Sequence, residues 1–397
     1  MKKLISLILA CVFLFALCSQ AEEKQDEAYD RALDLFLRNE YELAYPAFEE
    51  LLSGGDVRAY YHLGVCALLG LGTGTDSDLA TVMFASALEK LPETAEKGDI
   101  VAQRQLGQMY QNALGTGADP DAAVFWYTKA ADAGDGIAAA NLGLMYQTGE
   151  GVPRDDARAF ALFTAGAEKN IGVAETGLAD CYYYGLGVDA DYEKALLYYQ
   201  KAADHGILSA VNCLGDMYYY GQGVAQDYAL AASYYAIAAD NGYVWGMLNI
   251  ADMYIHGTGV EKDEEAGFGY YLKAAELGNV LAMTNVGNAY YYGTGTGEDH
   301  AEAYTWYLKA AEQGNRSAMN AVGDMVYEGD CTEEDHEKAF GWYLKAAELG
   351  EKWGMYNTAV LYLDGDGVEF NEEAGLEWMH RAADAGVPAA KRYLGEE

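Results

Sequence analysis

Six histidines and a few acidic or glycine-rich motifs are the residues of this 397-residue chain whose types could support catalysis or metal binding. The histidines form no H-E-x-x-H motif, the spacing that places two imidazoles on one helix face for zinc. His300 and His336 each follow an aspartate at the predicted start of a helix. We therefore interpret both as solvated residues at helix starts rather than as metal ligands.

Two other motifs imitate ligand-binding loops. Residues 364–367 (D-G-D-G) begin like an EF-hand calcium loop, but Glu369 stands where that loop needs glycine. The G-T-G-T-G run at 293–297 lacks the Lys-Ser/Thr that follows in a phosphate-binding loop. No serine lies in a nucleophile elbow, and no cysteine has a histidine at an interpretable spacing. We therefore predict no catalytic residue, no metal site and no cofactor.

Four cysteines lie beyond the N-terminal apolar segment, at Cys66, Cys181, Cys213 and Cys331. An exported chain would allow disulfide bonds between them. A bridge between Cys181 and Cys213 stays open as an alternative, although their spacing does not indicate one. We expect the four side chains to be small buried hydrophobic groups.

Tyrosine is the residue type that points to a binding surface, since the chain has 34 tyrosines. They include triplets at 182–184, 218–220 and 290–292, each at the predicted end of a helix. The first member of each triplet is expected in the core. The other two either pack between neighbouring units or form an exposed aromatic ladder in a groove that suits a peptide or a glycan. The candidate partner-binding residues are Tyr183, Tyr184, Tyr219, Tyr220, Tyr291 and Tyr292.

These tyrosines recur because the chain repeats itself every 36 residues. Ala203 and Tyr218 belong to two of the series that keep this step. A third series is a closing glycine, with Asn170 in its one missing slot. The glycines of that series are Gly98, Gly134, Gly206, Gly242, Gly278, Gly314, Gly350 and Gly386.

Each period reads as two helices. Apolar residues between 195 and 203, and again between 210 and 218, are spaced i, i+4, i+7, i+8, which is one face of a helix. Since one helical hairpin cannot bury such faces alone, the units must stack.

Special residues mark the ends of these helices. Asp191 and Asp227 are predicted N-caps of the second helix in successive units. Gly206 supplies the left-handed residue after a second helix. Gly221 and Gly223 turn the chain between the two helices of one unit.

Residues 210–242 carry nearly all of the pattern A-x-x-x-L-G-x-x-Y-x-x-G-x-G-V-x-x-D-x-x-x-A-x-x-Y-Y-x-K-A-A-x-x-G. On this pattern the chain resembles the Sel-one-like repeat (SLR) family, a branch of the tetratricopeptide-like helical solenoids. The resemblance implies an all-α fold, a right-handed superhelical solenoid of antiparallel helix pairs that serves as a protein-binding scaffold, usually without catalysis. A few cysteine-rich relatives are linked to cell-wall or β-lactam hydrolysis, but this chain lacks their paired cysteines, so a hydrolase ranks last.

The period divides the chain into predicted segments within one elongated domain. Residues 22–55 form a tetratricopeptide-like capping hairpin, and residues 56–98 form an irregular, lengthened first unit in which Pro92 should kink or interrupt the second helix. Residues 99–386 form eight regular units, and residues 387–397 form a partial repeat helix.

The first 21 residues read as a secretory signal. Lysines precede an apolar run over residues 4–17, and Ala21 ends a small-residue cleavage site. The run is too short for a comfortable membrane span. We therefore expect a soluble protein that is secreted or lies in the periplasm or cell envelope. A lipid anchor at Cys18 is the alternative, although Leu17 is larger than the residue which that motif prefers.

The net charge of the chain limits the classes of partner further. The chain has 62 acidic and 25 basic residues and a formal net charge of −37. This charge repels phosphate backbones and anionic lipid, so we expect no nucleic-acid binding. The acidic surface either is simply solvated or captures a basic partner. The sequence thus predicts a non-catalytic scaffold that binds a protein or peptide in the solenoid groove, with a glycan-binding module as the alternative.

Overall fold

The computed structural model describes residues 27–396, and these residues form 21 α-helices and no strand. The predicted signal, with Ala21 and Cys18, lies outside the described residues. The helices are α1 Glu27–Leu37, α2 Tyr41–Ser53, α3 Ala59–Leu69, α4 Ser77–Glu96, α5 Ile100–Gln111, α6 Pro120–Asp132, α7 Gly136–Thr148, α8 Asp156–Glu168, α9 Gly172–Tyr184, α10 Tyr192–Asp204, α11 Leu208–Tyr220, α12 Tyr228–Asp240, α13 Val244–His256, α14 Glu264–Glu276, α15 Val280–Tyr292, α16 His300–Glu312, α17 Arg316–Glu328, α18 His336–Glu348, α19 Lys352–Asp364, α20 Glu372–Asp384 and α21 Pro388–Leu394.

From α3 onward, odd-numbered helices are the first helices of a pair and even-numbered helices are the second. Within a pair the two helices pack against each other, and successive pairs also pack together. This arrangement confirms the all-α solenoid of 36-residue repeats. Some successive first helices touch as well: α5 contacts α7, α7 contacts α9, and α17 contacts α19. Within each unit, the surface formed by its first helices is called the first-helix face below.

The chain divides into two compact units, Met1–Gln226 and Asp227–Glu397, where the sequence pattern predicted one elongated domain. Unit 1 contains α1 to α11, and unit 2 contains α12 to α21. Among the described residues, no helix combines the length and the apolar character that crossing a membrane requires.

The predicted helix ends are confirmed. Asp191 caps α10 by accepting a hydrogen bond at 3.0 Å from the backbone N–H of Lys194, because that N–H lies in the first turn and has no partner within the helix. Gly206 closes α10 with φ +79°. The same cap bond forms at the six equivalent aspartates, Asp119, Asp155, Asp227, Asp263, Asp299 and Asp335.

The turn between first and second helices uses two glycines for different reasons. Gly221 ends α11 in the left-handed region, with φ +68°. Gly223 lies against the start of α10, and a Cβ there would come within 2.6 Å of the carbonyl oxygen of Tyr192. The second glycine therefore lets each turn approach the preceding pair closely.

The buried aromatic residue of each pair is not the one that the triplets predicted. Tyr182, Tyr218 and Tyr290 are half-buried, so their assignment to the core was wrong. The Tyr182 ring instead stacks on Tyr198, a half-buried residue of the second helix in the same helix pair. The two ring centroids are 5.9 Å apart. The core position belongs to a tyrosine on the second helix, at Tyr127, Tyr199, Tyr235, Tyr271, Tyr307 and Tyr343.

At Tyr127, Tyr307 and Tyr343, a glycine on the first helix makes room for this ring. At Gly323 a Cβ would lie 2.6 Å from Cε1 of Tyr343, and at Gly287 it would lie 2.6 Å from Cδ1 of Tyr307. Small residues of one further 36-residue series are buried as well, which lets the helices approach each other closely. They are Ala138, Ala174, Ala210, Gly246, Ala282, Ala318, Gly354 and Ala390.

Two other expectations are corrected by the structure. Helix α4 runs without interruption through Pro92, so an interrupted helix, one of the two expected effects of this proline, is wrong. Cys331 is exposed rather than buried, because it lies in a turn between helices, where its φ is +59°. Cys66 and Cys181 are buried and Cys213 is half-buried, and none of these four cysteines forms a disulfide.

Candidate partner-binding surface

The predicted tyrosines form three pairs at the C-terminal ends of first helices. In unit 1 these are Tyr183/Tyr184 on α9 and Tyr219/Tyr220 on α11, and in unit 2 they are Tyr291/Tyr292 on α15. The second ring of each pair is exposed, by 66% at Tyr184, 64% at Tyr220 and 71% at Tyr292. The first ring is half-buried in every pair.

Each pair has the same internal geometry. The two rings meet edge to face, with centroids 4.7 Å apart and planes at 74° for Tyr183 and Tyr184. For Tyr291 and Tyr292 the values are 4.9 Å and 78°. This is a favoured aromatic arrangement, because the positive edge of one ring faces the negative face of the other. The half-buried ring thereby fixes the position of the exposed ring.

The half-buried ring is in turn held by the following repeat. The hydroxyl of Tyr183 donates to the side-chain oxygen of Gln222, which lies in the turn after α11. Tyr291 stacks on His300, with centroids 4.6 Å apart and planes at 14°. The Nδ1 of His300 lies 2.7 Å from Oδ2 of Asp330, in the turn after α17.

This histidine arrangement occurs twice in unit 2. His336 stacks on Tyr327, and its Nδ1 lies 2.6 Å from Oδ1 of Asp366. The prediction that His300 and His336 are solvated residues at helix starts was therefore incomplete, because both tie one repeat to the next. The available signal was a histidine after the cap aspartate together with an acid 30 residues later.

An acidic or amide side chain lies one helical turn before the tyrosines. On α17, Asp324 accepts hydrogen bonds from the Tyr343 hydroxyl at 2.9 Å and from the Nδ2 atoms of Asn320 at 3.0 Å and Asn357 at 3.2 Å. On α9, Asp180 accepts from the buried hydroxyl of Tyr199. The sequence analysis missed this position, although an acid or amide recurs there every 36 residues. The series comprises Asp180, Asp216, Asp252, Asn288 and Asp324.

Burial changes the acidity of these carboxyl groups. It raises the pKa of both Asp180 and Asp324 to about 6, because the charged form loses solvation. At neutral pH both remain carboxylates with less water around them than a surface acid has. Such a group interacts more strongly with a cation or an N–H donor than a fully solvated carboxylate does.

No group of three or more His, Cys, Asp or Glu side chains within residues 27–396 is arranged to hold a metal ion. The chemistry that the surface offers is therefore aromatic contact, hydrogen bonding and negative charge.

Comparison with known proteins identifies the repeat. A Sel1 repeat family model matches residues 57–90, 100–135, 136–171, 172–207, 210–243, 246–279, 280–315, 316–351 and 354–387. The chain belongs to the Sel1 repeat family. Sel1 repeat solenoids are generally protein–protein interaction scaffolds and are generally non-catalytic.

Two solved Sel1 repeat structures are similar over much of their length. A protective antigen of uropathogenic Escherichia coli strains, which displays an SLR fold, is 32% identical, with 89% of this chain and 82% of that chain covered and a TM-score of 0.48. A Sel1 repeat protein from Oxalobacter formigenes is 34% identical, with 58% and 94% covered and a TM-score of 0.54. No curated protein matches the chain.

Proposed function

We propose that this Sel1 repeat protein is a non-catalytic scaffold that binds a protein, through an extended peptide segment, on the first-helix face. The observation that carries the proposal is the recurring tyrosine pair. In each pair a half-buried ring positions an exposed one, and an acid or amide lies one turn away. A tyrosine that served only to pack the core would be buried, whereas the second ring of each pair is exposed.

The two kinds of group suit a peptide in complementary ways. A tyrosine ring offers a large contact area with few rotatable bonds, so little entropy is lost when it is covered. Carboxylates and amides can accept hydrogen bonds from the backbone N–H groups of an extended chain. The net charge of −37 favours a partner segment that is basic, since it accelerates encounter with positive charge.

A glycan is the second candidate ligand. An exposed tyrosine ring beside an acid or amide also suits a sugar, whose apolar face can stack while its hydroxyls donate hydrogen bonds. The peptide is favoured because Sel1 repeats generally bind proteins.

The place of action is part of the proposal. The basic and apolar N-terminal residues support export of a mature chain from Glu22 into the periplasm, the cell envelope or the medium. Mass spectrometry of the protein from its own cells tests this step. A mature N-terminus at Glu22 supports it, a lipid-modified Cys18 supports the anchored alternative, and an uncleaved Met1 in the cytoplasm refutes export.

The decisive experiment probes the mature chain on a peptide array and an oligosaccharide array side by side. The test variant replaces Tyr184, Tyr220 and Tyr292 by serine. The matched control replaces three comparably exposed apolar residues of second helices by serine, namely Phe125, Leu197 and Ile237. Circular dichroism checks that both variants remain helical.

We expect peptide binding that the tyrosine variant loses and the control keeps. Equal binding by all three proteins would place the site away from the tyrosine pairs and refute the proposal. Binding to oligosaccharides alone, lost in the tyrosine variant, would establish the glycan reading instead.

A further inference from the structure

The N-terminal helix α1 lies against first helices of unit 1. The apolar residues of α1 are spaced i, i+3, i+4, i+7 and i+8, as Tyr29, Ala32, Leu33, Phe36 and Leu37. The ring of Phe36 contacts His62 on α3, with centroids 5.3 Å apart. Leu33 and Leu37 pack against a buried cluster that includes Ile137 on α7. The opposite face of α1 is exposed and charged. This helix is therefore an amphipathic helix that docks on first helices through its apolar face.

Charged residues are absent from the first helices that α1 contacts in this way. Among the first helices that the structure describes, α3, α7 and α15 contain no Asp, Glu, Lys or Arg, whereas each of the others contains at least one. A charged side chain beneath α1 would lose its water at a high cost. In unit 2, α15 is equally free of charge, but its second residue, Leu281, is exposed.

The cluster beneath α1 has an exposed counterpart in unit 2. Ile137 and Val173 are the second residues of α7 and α9, and both belong to the packing that α1 completes. Ile137 is only 6% exposed. Three repeats later the same two positions hold Trp245 and Leu281, the second residues of α13 and α15, which are 53% and 48% exposed. Unit 2 thus repeats the apolar positions but leaves them in contact with solvent.

A third exposed side chain lies at the same junction of two repeats. Leu277 is 55% exposed and precedes α15 at the repeat position that Leu349 holds before α19. The carbonyl oxygen of Leu349 accepts a hydrogen bond at 3.2 Å from Arg316, the first residue of the preceding first helix. The same repeat position puts Leu277 beside the start of α13, where Trp245 is the second residue. Trp245, Leu277 and Leu281 are called the apolar patch below.

We propose that the apolar patch binds an amphipathic helix of a protein partner, as α1 binds the equivalent positions of unit 1. The partner helix presents Leu, Phe or Tyr at i, i+3, i+4 and i+7. The net charge of −37 favours basic residues on its other face. The patch lies at the N-terminal ends of first helices, whereas the tyrosine pairs lie at C-terminal ends. It is therefore a second interaction surface, which does not depend on the tyrosine pairs.

The probe for this surface is a helical peptide of five turns, about 18 residues. It carries leucine at the stripe positions and lysine and glutamine elsewhere. Its control has the same residues in scrambled order, which keeps the charge but removes the apolar face. Calorimetry with the mature protein measures both affinities. We expect the amphipathic peptide to bind about tenfold or more tightly than the scrambled peptide.

Substitutions test whether the patch is the site. Trp245→Ser and Leu281→Ser each remove one exposed apolar side chain of the patch, and Trp245→Phe keeps an aromatic ring. The matched controls are Phe125→Ser and Leu197→Ser, which are comparably exposed on second helices. We expect each patch serine variant to lose about tenfold in affinity for the amphipathic peptide, because a large apolar side chain is no longer covered on binding. Trp245→Phe should keep most of the affinity, and each control should lose less than about twofold. Circular dichroism checks that all variants remain helical.

Several results would overturn the proposal. Equal affinities for the amphipathic and the scrambled peptide would refute a helical partner. Equal losses in the patch variants and the controls would refute the patch as the site. A wild-type dimer in sedimentation that Trp245→Ser makes monomeric would identify a second copy of this chain as the occupant and refute the partner.

The tyrosine variant separates this proposal from the proposed function. We expect the variant with serine at Tyr184, Tyr220 and Tyr292 to keep its affinity for the amphipathic peptide. If it loses that affinity while the patch variants keep it, the patch is refuted. If array peptides bind through the tyrosine pairs but the amphipathic peptide does not bind, the patch is refuted and the proposed function stands.

Discussion

Replacing Gly295 by alanine tests how the turns join successive helix pairs. Gly295 lies in the turn between α15 and α16, with φ +71°, and a Cβ there would lie 1.9 Å from the carbonyl oxygen of Glu264 at the start of α14. No side chain tolerates that distance to a backbone atom, so the two repeats would have to move apart. Gly293 in the same turn is the matched control. Its φ is +68°, but the nearest atom to an added Cβ is the backbone nitrogen of Glu298 at 3.5 Å.

Both substitutions place alanine in the left-handed region, but only Gly295→Ala also displaces packed backbone. Alanine in the left-handed region costs about 1–2 kcal/mol, and its smaller entropy in the unfolded chain returns about 0.4–1 kcal/mol. Gly293→Ala should therefore lower the free energy of unfolding by about 1 kcal/mol. Gly295→Ala adds the cost of displacing packed backbone, about 1–3 kcal/mol. We expect it to cost about 2–4 kcal/mol in total.

Urea denaturation followed by circular dichroism and tryptophan fluorescence measures the two losses. Since repeat arrays can unfold in parts, amide hydrogen exchange should locate the change. We expect lost protection in α14, α15 and α16 for Gly295→Ala and little change for Gly293→Ala. Equal losses of stability in the two variants would refute the close approach of this turn to the preceding pair.

Titration and three further substitutions test other contacts. Binding of a basic peptide to the first-helix face should weaken as pH falls through about 6, because protonation neutralises Asp324, and calorimetry across pH 5 to 8 measures this. The hydrogen bond to Asp366 raises the pKa of His336, so their stabilising contribution should be complete below about pH 6.5 and be lost as pH rises through the raised value. The unfolding free energy of His336→Ala should lack this fall, and an unchanged profile would contradict the pairing. Tyr343→Phe should raise the pKa of Asp324 further and cost about 1 kcal/mol, which NMR titration and denaturation can check. Ala113→Gly should stabilise the fold by up to about 1 kcal/mol, since Ala113 has φ +55°, and a loss of stability in denaturation would contradict this expectation.

The sequence determines the helix pairs because the residues that begin and end each helix act through local contacts. The carboxylate of Asp191 accepts from an N–H only three residues later, and Gly206 adopts its left-handed conformation whatever lies around it. Such features recur at one period, so the fold and the ends of most helices could be predicted from spacing alone. The local effect expected of Pro92 was not a guide to a helix end, because the helix that contains this proline continues through it.

Contacts between repeats could not be predicted from spacing. Tyr182 and Tyr199 both recur every 36 residues, and the sequence cannot say which ring is buried. The choice depends on a small residue of a facing helix, such as Gly323 opposite Tyr343, which leaves room for the second-helix ring. His336 likewise meets Asp366 only because the next repeat brings its turn over the start of α18.

The candidate surface divides in the same way. The sequence by itself determined that tyrosines recur at the ends of first helices and that the chain is strongly acidic. The tertiary structure alone decided that one ring of each pair is exposed and that Asp324 is held by three donors. The physical reason is the separation along the chain of the residues that interact. Sequence periodicity reflects interactions within one helix pair, whereas exposure and charge pairing depend on side chains of neighbouring helix pairs.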